Sequence, residues 1–115
     1  MNIGKTGEIG ECKVALFLRK RGFSIVKRNY VCKYGEIDII AQNNEYILFV
    51  EVKTRKQDSL VSGSEAVDGF KQQRLRLTAQ DYIVKTRCEL QPRFDVAEVT
   101  VAEGKYKLRY IENAF

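Results

Sequence analysis

The chain has 115 residues, 44% apolar and 30% charged, and its 20 Lys and Arg against 15 Asp and Glu leave a net charge of +5. That composition argues against intrinsic disorder and suits one domain with a real core; the positive balance fits a polyanionic partner without demanding one. Histidine is absent and Cys12, Cys32 and Cys88 stand far apart, which disfavours centres built on imidazole or paired thiolates and leaves hard, oxygen-ligated cations open.

Three cysteines without a CxxC pair also predict reduced thiols rather than a disulfide framework. The longest unbroken apolar runs, Val14–Leu18 and Tyr46–Val50, fall far short of the ~20 residues of a membrane span. The opening "MNIGKTGEIGEC" lacks the apolar stretch of a signal peptide. The expectation is a single cytoplasmic domain over 1–115 with no membrane contact.

In chain order, Thr6 to Arg21 has helical periodicity, with Ile9, Cys12, Ala15 and Leu16 expected on the packed face. Thr6 is the expected N-cap and Gly22 the stop. Glu8 and Glu11 lie three apart, on one side of the first turns. "FSIVKRNY" reads as a strand, followed by a turn around Lys33, Tyr34 and Gly35. Two strands follow, "GEIDIIAQ" and "YILFVEVK", joined by the turn-prone "NNE". Ser59 to Glu65, with Gly63 in it, reads as a loop. A longer helix is expected from about Glu65 to Thr86, its apolar side formed by Leu75, Ala79, Tyr82 and Ile83. Pro92 marks the entry to the strand "RFDVAEVTV", and a last strand, "YKLRYI", follows the turn at Glu103-Gly104. The order α-β-β-β-α-β-β defines a mixed α/β domain.

The middle hairpin carries the main functional signal. A turn centred between Asn44 and Glu45 sets Gln42 opposite Ile47, Ile40 opposite Phe49, Asp38 opposite Glu51 and Glu36 opposite Lys53. Alternation places these eight on one face and Ile37, Ile39, Ala41, Leu48, Val50 and Val52 on the other. The first face is therefore apolar near the turn and charged away from it. Opposed carboxylates destabilise a sheet unless something positive lies between them, such as Lys53 or a divalent cation. Two readings are open at this point: a built cluster, or strand ends emerging into solvent. A helix packed across this face would bring Glu8 or Glu11 toward the cluster.

An Asp, a Glu and a Lys two residues beyond the Glu suit phosphodiester cleavage. The carboxylates hold Mg²⁺ or Mn²⁺, which polarises the phosphoryl group and lowers the pKa of a bound water; the ammonium orients that water and stabilises developing charge. On the second helix Lys71, Arg74 and Lys85 fall within an arc of about 60°, a stripe able to follow a phosphate backbone or simply to face solvent. Arg93 and Asp95 share a face of the fourth strand, either completing the site or forming an ordinary ion pair.

The segments "GEIGE" (residues 7–11), "RNY" (28–30), "GEIDII" (35–40), "FVEVKTR" (49–55), "RFDV" (93–96) and the ending "IENAF" resemble the YraN-like family of small bacterial proteins, regarded as predicted endonucleases. That family is similar to archaeal Holliday-junction resolvases and to the restriction-endonuclease-like superfamily with its PD-(D/E)xK motif. The resemblance implies a restriction-endonuclease-like fold and a metal-dependent endonuclease acting on DNA, with branched or damaged DNA as one form of the substrate. It makes Asp38, Glu51 and Lys53 the motif residues and Glu11, in its G-x-x-x-E context, a further metal ligand in preference to Glu8. Asp38, Glu51 and Glu11 are then the ligands of Mg²⁺ or Mn²⁺, and Lys71, Arg74 and Arg55 the phosphate-binding residues. Glu36, Arg93 and Asp95 are accessory. Ile37 stands where the motif has proline. A homodimer is one way for so small a chain to address both strands of a duplex. A nucleic-acid-binding module without catalysis, and a protein-interaction domain, are the alternative readings.

Overall fold

In a computed structural model the chain is described over residues 2–57 and 68–115, with side chains from residue 7 onward; the expected loop Ser59 to Glu65 lies outside the described residues. Helix α1 spans Asn2–Lys20, strands β1, β2 and β3 span Ser24–Cys32, Gly35–Gln42 and Tyr46–Lys56, helix α2 spans Gly69–Thr86, and strands β4 and β5 span Gln91–Ala102 and Lys105–Ile111. The order is the expected α-β-β-β-α-β-β. The five strands lie side by side in chain order. β3 and β4 pair in parallel through the α2 crossover, and every other pair is antiparallel.

Among the described residues, each face of the sheet carries one helix and one apolar cluster. Under α1, Val14, Ala15 and Leu18 meet Ile39, Ala41, Leu48, Val50, Ala97 and Val99. Under α2, Leu75 and Ala79 meet Ile37, Ile40, Ile47, Phe49 and Val96, with Tyr82 and Ile83 packed alongside. The apolar side expected for α2 is the observed one.

The packed face of α1 differs from the expected stripe. Ile9, Cys12 and Leu16 are exposed, and only Ala15 of the four is buried. The true stripe is Gly10, Val14 and Leu18 at four-residue spacing, flanked by Glu11 and Ala15. A Cβ built on Gly10 would lie 2.0 Å from Thr54 Oγ1, so the missing side chain is what lets α1 close on β3. Apolar spacing alone cannot see a stripe that begins with a glycine and a glutamate.

The helix also starts before Thr6, which lies inside it rather than at its cap. Gly4 and Gly7 each cost a helix interior only about 1 kcal/mol, too little to end it. At the other end Gly22 adopts φ 91°. Its N–H donates to Arg19 O, and the Phe23 N–H to Leu18 O, a glycine-closed helix end. α2 begins at Gly69, later than Glu65. The Asp68 carboxylate accepts from the Lys71 N–H at 2.8 Å, satisfying one of the orphan donors of the first turn.

The β2–β3 register is the one set by the turn: Ile39, Ile40, Ala41 and Gln42 pair with Val50, Phe49, Leu48 and Ile47. Beyond Ile39↔Val50 the ladder stops, so Asp38–Glu51 and Glu36–Lys53 are not backbone partners. Ile37 also leaves its expected face and joins the α2-side cluster. The neighbouring strand explains the switch. Asn29, between the pairs Arg28↔Ile39 and Tyr30↔Ile37, has φ 54°, a left-handed backbone that breaks strict alternation. Arg28 consequently points to α1 and Tyr30 to α2, where its hydroxyl donates to Asp81 at 2.5 Å.

Candidate active site

The β2–β3 ladder ends at Ile39↔Val50, and Asp38 and Glu51 lie just beyond it. The Val52 N–H, with no β2 carbonyl opposite, donates to Asp38 Oδ2 at 2.8 Å. Glu51 lies close enough for its charge to act on the Asp38 carboxyl. The Asp38 carboxyl is pushed from an ordinary 3.8 up to about 7, first by burial and next by the Glu51 charge; the Val52 N–H opposes the shift and Glu11 adds to it. Burial and like charge both disfavour an ionised carboxylate. The electrostatic conflict anticipated from the sequence is therefore present, although the two residues do not pair through the backbone.

A cleft of about 340 Å³ opens between β2, β3 and the start of α2, lined by Glu36, Asp38, Glu51, Lys71 and Arg74 among others. Lys71 Nζ lies 2.5 Å from Glu51 Oε2, with the lysine side chain 49% exposed and the glutamate 11%. The Arg74 guanidinium donates to Tyr34 O at 3.2 Å, tying α2 to the β1–β2 turn. Gly35 is needed in that turn: its φ of 152° is unusual for a side-chain-bearing residue, and a Cβ would meet Thr78 Oγ1 at 3.3 Å. Lys85, the third member of the expected stripe, pairs instead with Asp81 at 3.1 Å and lies three turns along α2 from the cleft.

Glu11 comes from α1, which covers the face opposite the cleft, not the charged face as expected. Its carboxylate accepts from Arg28 at 3.3 Å and is 14% exposed, and its charge still reaches Asp38. Lys53 and Arg55 continue β3 beyond Glu51, both half-buried and in register with Glu98 and Thr100 of β4.

Arg93 and Asp95 form their own cluster. The guanidinium makes a two-point contact with the Asp95 carboxylate (Nε–Oδ1 3.0 Å, Nη2–Oδ2 2.9 Å), the Tyr110 hydroxyl donates to Oδ2 at 2.6 Å and the Asn113 N–H to Oδ1 at 3.0 Å. Glu112 takes the other side of Arg93 at 3.1 Å. Asp95 is fully buried and fully satisfied. The pair's contacts are with Tyr110, Asn113 and Glu112, away from Asp38 and Glu51. The terminal "IENAF" belongs to the same construction: Glu112 and Asn113 complete the cluster, while Phe115 packs on Phe94.

Hard oxygen donors and two carboxylates held against their mutual repulsion fit a divalent cation, since Mg²⁺ is commonly bound by one or two carboxylates and keeps several waters. Among the described residues no three His, Cys, Asp or Glu side chains converge as a ready cage. The carboxylates whose placement fits such an ion are Asp38 and Glu51; Glu11 is paired with Arg28. Sequence reasoning missed three residues here: Arg28, the cap Asp68, and Phe70, which lines the cleft and is 75% exposed. Phe70 had a readable signal, because at 100° per residue it sits roughly 140° from Leu75, off the packed face.

Among the described residues no helix is long and apolar enough to cross a membrane. A family model described as "Uncharacterised protein family UPF0102" matches residues 10–99. The chain is 47% identical over 110 residues to a UPF0102 protein of Alkaliphilus metalliredigens, covering 95% of this chain and 96% of that one. It is 44% identical over 114 residues to one of Alkaliphilus oremlandii (96% and 97%), and 43% identical over 119 residues to one of Caldanaerobacter subterraneus subsp. tengcongensis (100% and 98%).

Proposed function

The chain belongs to the UPF0102 family, and we propose that it is a metal-dependent endonuclease hydrolysing phosphodiester bonds in DNA. The observation that carries this reading is the Asp38–Glu51 pair, forced together at the base of a cleft flanked by Lys71 and Arg74. An acidic pair alone repels a polyanion; an acidic pair with a cation, inside a basic frame, is built to receive one. The motif resemblance to the PD-(D/E)xK superfamily and the five-stranded mixed sheet between two helices support the same reading.

Asp38 and Glu51 are the residues that would hold Mg²⁺ or Mn²⁺. When bound, the ion supplies Lewis-acid polarisation of the phosphoryl group and a water of lowered pKa. The residues of the chain do the rest. Asp38 would hold the ion in its ionised form, the Val52 N–H fixes the Asp38 carboxylate, and Lys53, two residues along the strand from Glu51, would orient water and offset developing charge. Lys71, with its side chain half exposed where it meets Glu51, would turn from that carboxylate to phosphate. Arg74, steadied by Tyr34 O, is a second phosphate contact. Glu11 acts through its charge near Asp38. One chain presents one such cleft, so cutting both strands of a duplex takes two copies or two encounters.

A cleavage assay tests the proposal. Linear duplex, single-stranded and four-way-junction DNA are offered with Mg²⁺ or Mn²⁺ to wild type and Asp38→Asn. Metal-dependent nicking by wild type, lost by a factor of at least about 100 in the variant, is expected. Cutting that persists undiminished in Asp38→Asn would overturn the site. A second reading, a nucleic-acid-binding module without catalysis, is favoured by the lack of a three-ligand cage among the described residues; DNA binding without cleavage by wild type is its signature.

A further inference from the structure

Phe70 stands out in a cleft whose other walls are largely charged. It is the second residue of α2, held in place by the Asp68 cap of that turn, and 75% of it faces solvent. A lone exposed aromatic is ordinary on a protein surface; its setting decides the matter. Lys71 and Arg74 follow it on the same helix and line the same cleft, with Asp38 and Glu51 at its base. Across Arg74 lies Tyr34, 37% exposed, its carbonyl bonded to the Arg74 guanidinium and its ring under Lys33 Nζ at 5.2 Å. Phe70 thus sits at the start of α2 and Tyr34 in the turn fastened to it, each accompanied by cations.

We infer that Phe70, with Tyr34 as a second platform, stacks on an unpaired base beside the scissile phosphate, so that the substrate class is nucleic acid with unstacked nucleotides at the cleavage site rather than continuous duplex. The inference rests on the endonuclease reading of the same cleft. Its physical basis is that in a duplex both faces of every base are covered by neighbours, and a ring can stack only on a base that has left the helix. Alternating aromatic and cationic groups are the surface that single strands recognise, the rings taking bases and the cations phosphates. A reader of intact duplex needs a groove-filling helix or ribbon instead. At the cleft, α2 offers its first two turns rather than a long exposed face.

The test is fluorescence anisotropy in EDTA, where no cutting occurs, with a labelled single strand, a duplex carrying a single-stranded arm and a blunt duplex of the same length. 2-Aminopurine in the single-stranded part reports stacking. Wild type is compared with Phe70→Ala, Phe70→Trp and Lys71→Ala. Phe70→Ala is expected to weaken binding to the single strand and the armed duplex roughly 5- to 150-fold and to abolish the 2-aminopurine quench, while leaving blunt-duplex binding within about twofold. Phe70→Trp is expected to retain both signals, and Lys71→Ala to weaken all three ligands alike. Equal losses on all three DNAs in Phe70→Ala, or no loss on any, overturns the stacking role while leaving the nuclease reading in place. Loss of self-association in Phe70→Ala by sedimentation, with DNA binding unchanged, overturns it in favour of a protein contact. Failure of wild type to bind any DNA removes both, and base-selective binding without cleavage in Mg²⁺ keeps the stacking role and removes the nuclease.

Discussion

Asp38 holds a proton up to about pH 7 because burial and the Glu51 charge both penalise its ionised form. Since the folded value lies above the unfolded 3.8, the folded chain binds the extra proton across the window from about pH 4 to 7. Stability therefore falls as pH rises through that window. Each tenfold change in an acid dissociation constant corresponds to about 1.4 kcal/mol, so the penalty at pH 8 is on the order of a few kcal/mol. Asp38→Asn keeps an oxygen for the Val52 N–H and removes the charge. It is expected to be more stable than wild type by roughly 1–3 kcal/mol at pH 8, with a smaller gap at pH 5 and the smallest near pH 4, as measured by urea denaturation at the three values. A variant less stable than wild type at pH 8 would show that the carboxylate is not electrostatically strained. Loss of function with a gain in stability is the expected trade at a site built for another partner.

At the scale of the elements, two contacts away from the cleft hold the framework in place. Gly10 allows α1 to touch β3, and Gly10→Ala drives a methyl group into Thr54. The expected cost is about 1–3 kcal/mol by urea denaturation, despite the better helix propensity of alanine. Thr54→Ala should relieve much of it, since Thr54 Oγ1 is buried with no hydrogen-bond partner among the described residues and its removal breaks no bond. The Arg93–Asp95 cluster fastens the C-terminal segment to β4. Asp95→Ala leaves a guanidinium that is 12% exposed without its main partner, and should cost about 3–5 kcal/mol in the same measurement. Burial and the Asp95 bond also raise the Tyr110 pKa, so that hydroxyl keeps its proton and its bond throughout the neutral range.

The same elements show what the sequence made legible. The β2–β3 register could be read because "NNE" fixes the turn and period-two alternation does the rest. The packed side of α2 could be read because Leu75, Ala79, Tyr82 and Ile83 are all apolar. The packed side of α1 could not, because its contact is made by an absent side chain at Gly10 and flanked by Glu11. The face of Ile37 could not either, because it depends on the left-handed backbone of Asn29 in another strand. For the site, alternation brought Asp38 and Glu51 together correctly in space, whereas the end of the ladder at Ile39↔Val50 and the approach of Glu11 from the far face are tertiary facts without a local signature.

On the scale of the whole molecule, the net charge of +5 makes any DNA binding salt-dependent, with affinity falling as counterions compete for phosphate. Lys71→Ala and Arg74→Ala are each expected to lower the slope of log K against log salt by about 1 if their side chains contact phosphate, measured by anisotropy across a salt series. Lys85→Ala, already paired with Asp81 away from the cleft, should leave the slope unchanged. A common loss in all three would indicate a diffuse field rather than a defined track.

The central claim is that Asp38, its carboxyl pushed up to about 7 by burial and the Glu51 charge, forms with Glu51 a site whose natural occupant is a divalent cation. Calorimetric titration with Mn²⁺ at pH 7 in two buffers of different ionisation enthalpy measures both the binding and the protons it releases. The account predicts binding by wild type with release of about half a proton, as expected for a carboxyl titrating near 7, and loss of both in Asp38→Asn. Binding of equal strength in the variant, or binding by wild type without proton release, would contradict it.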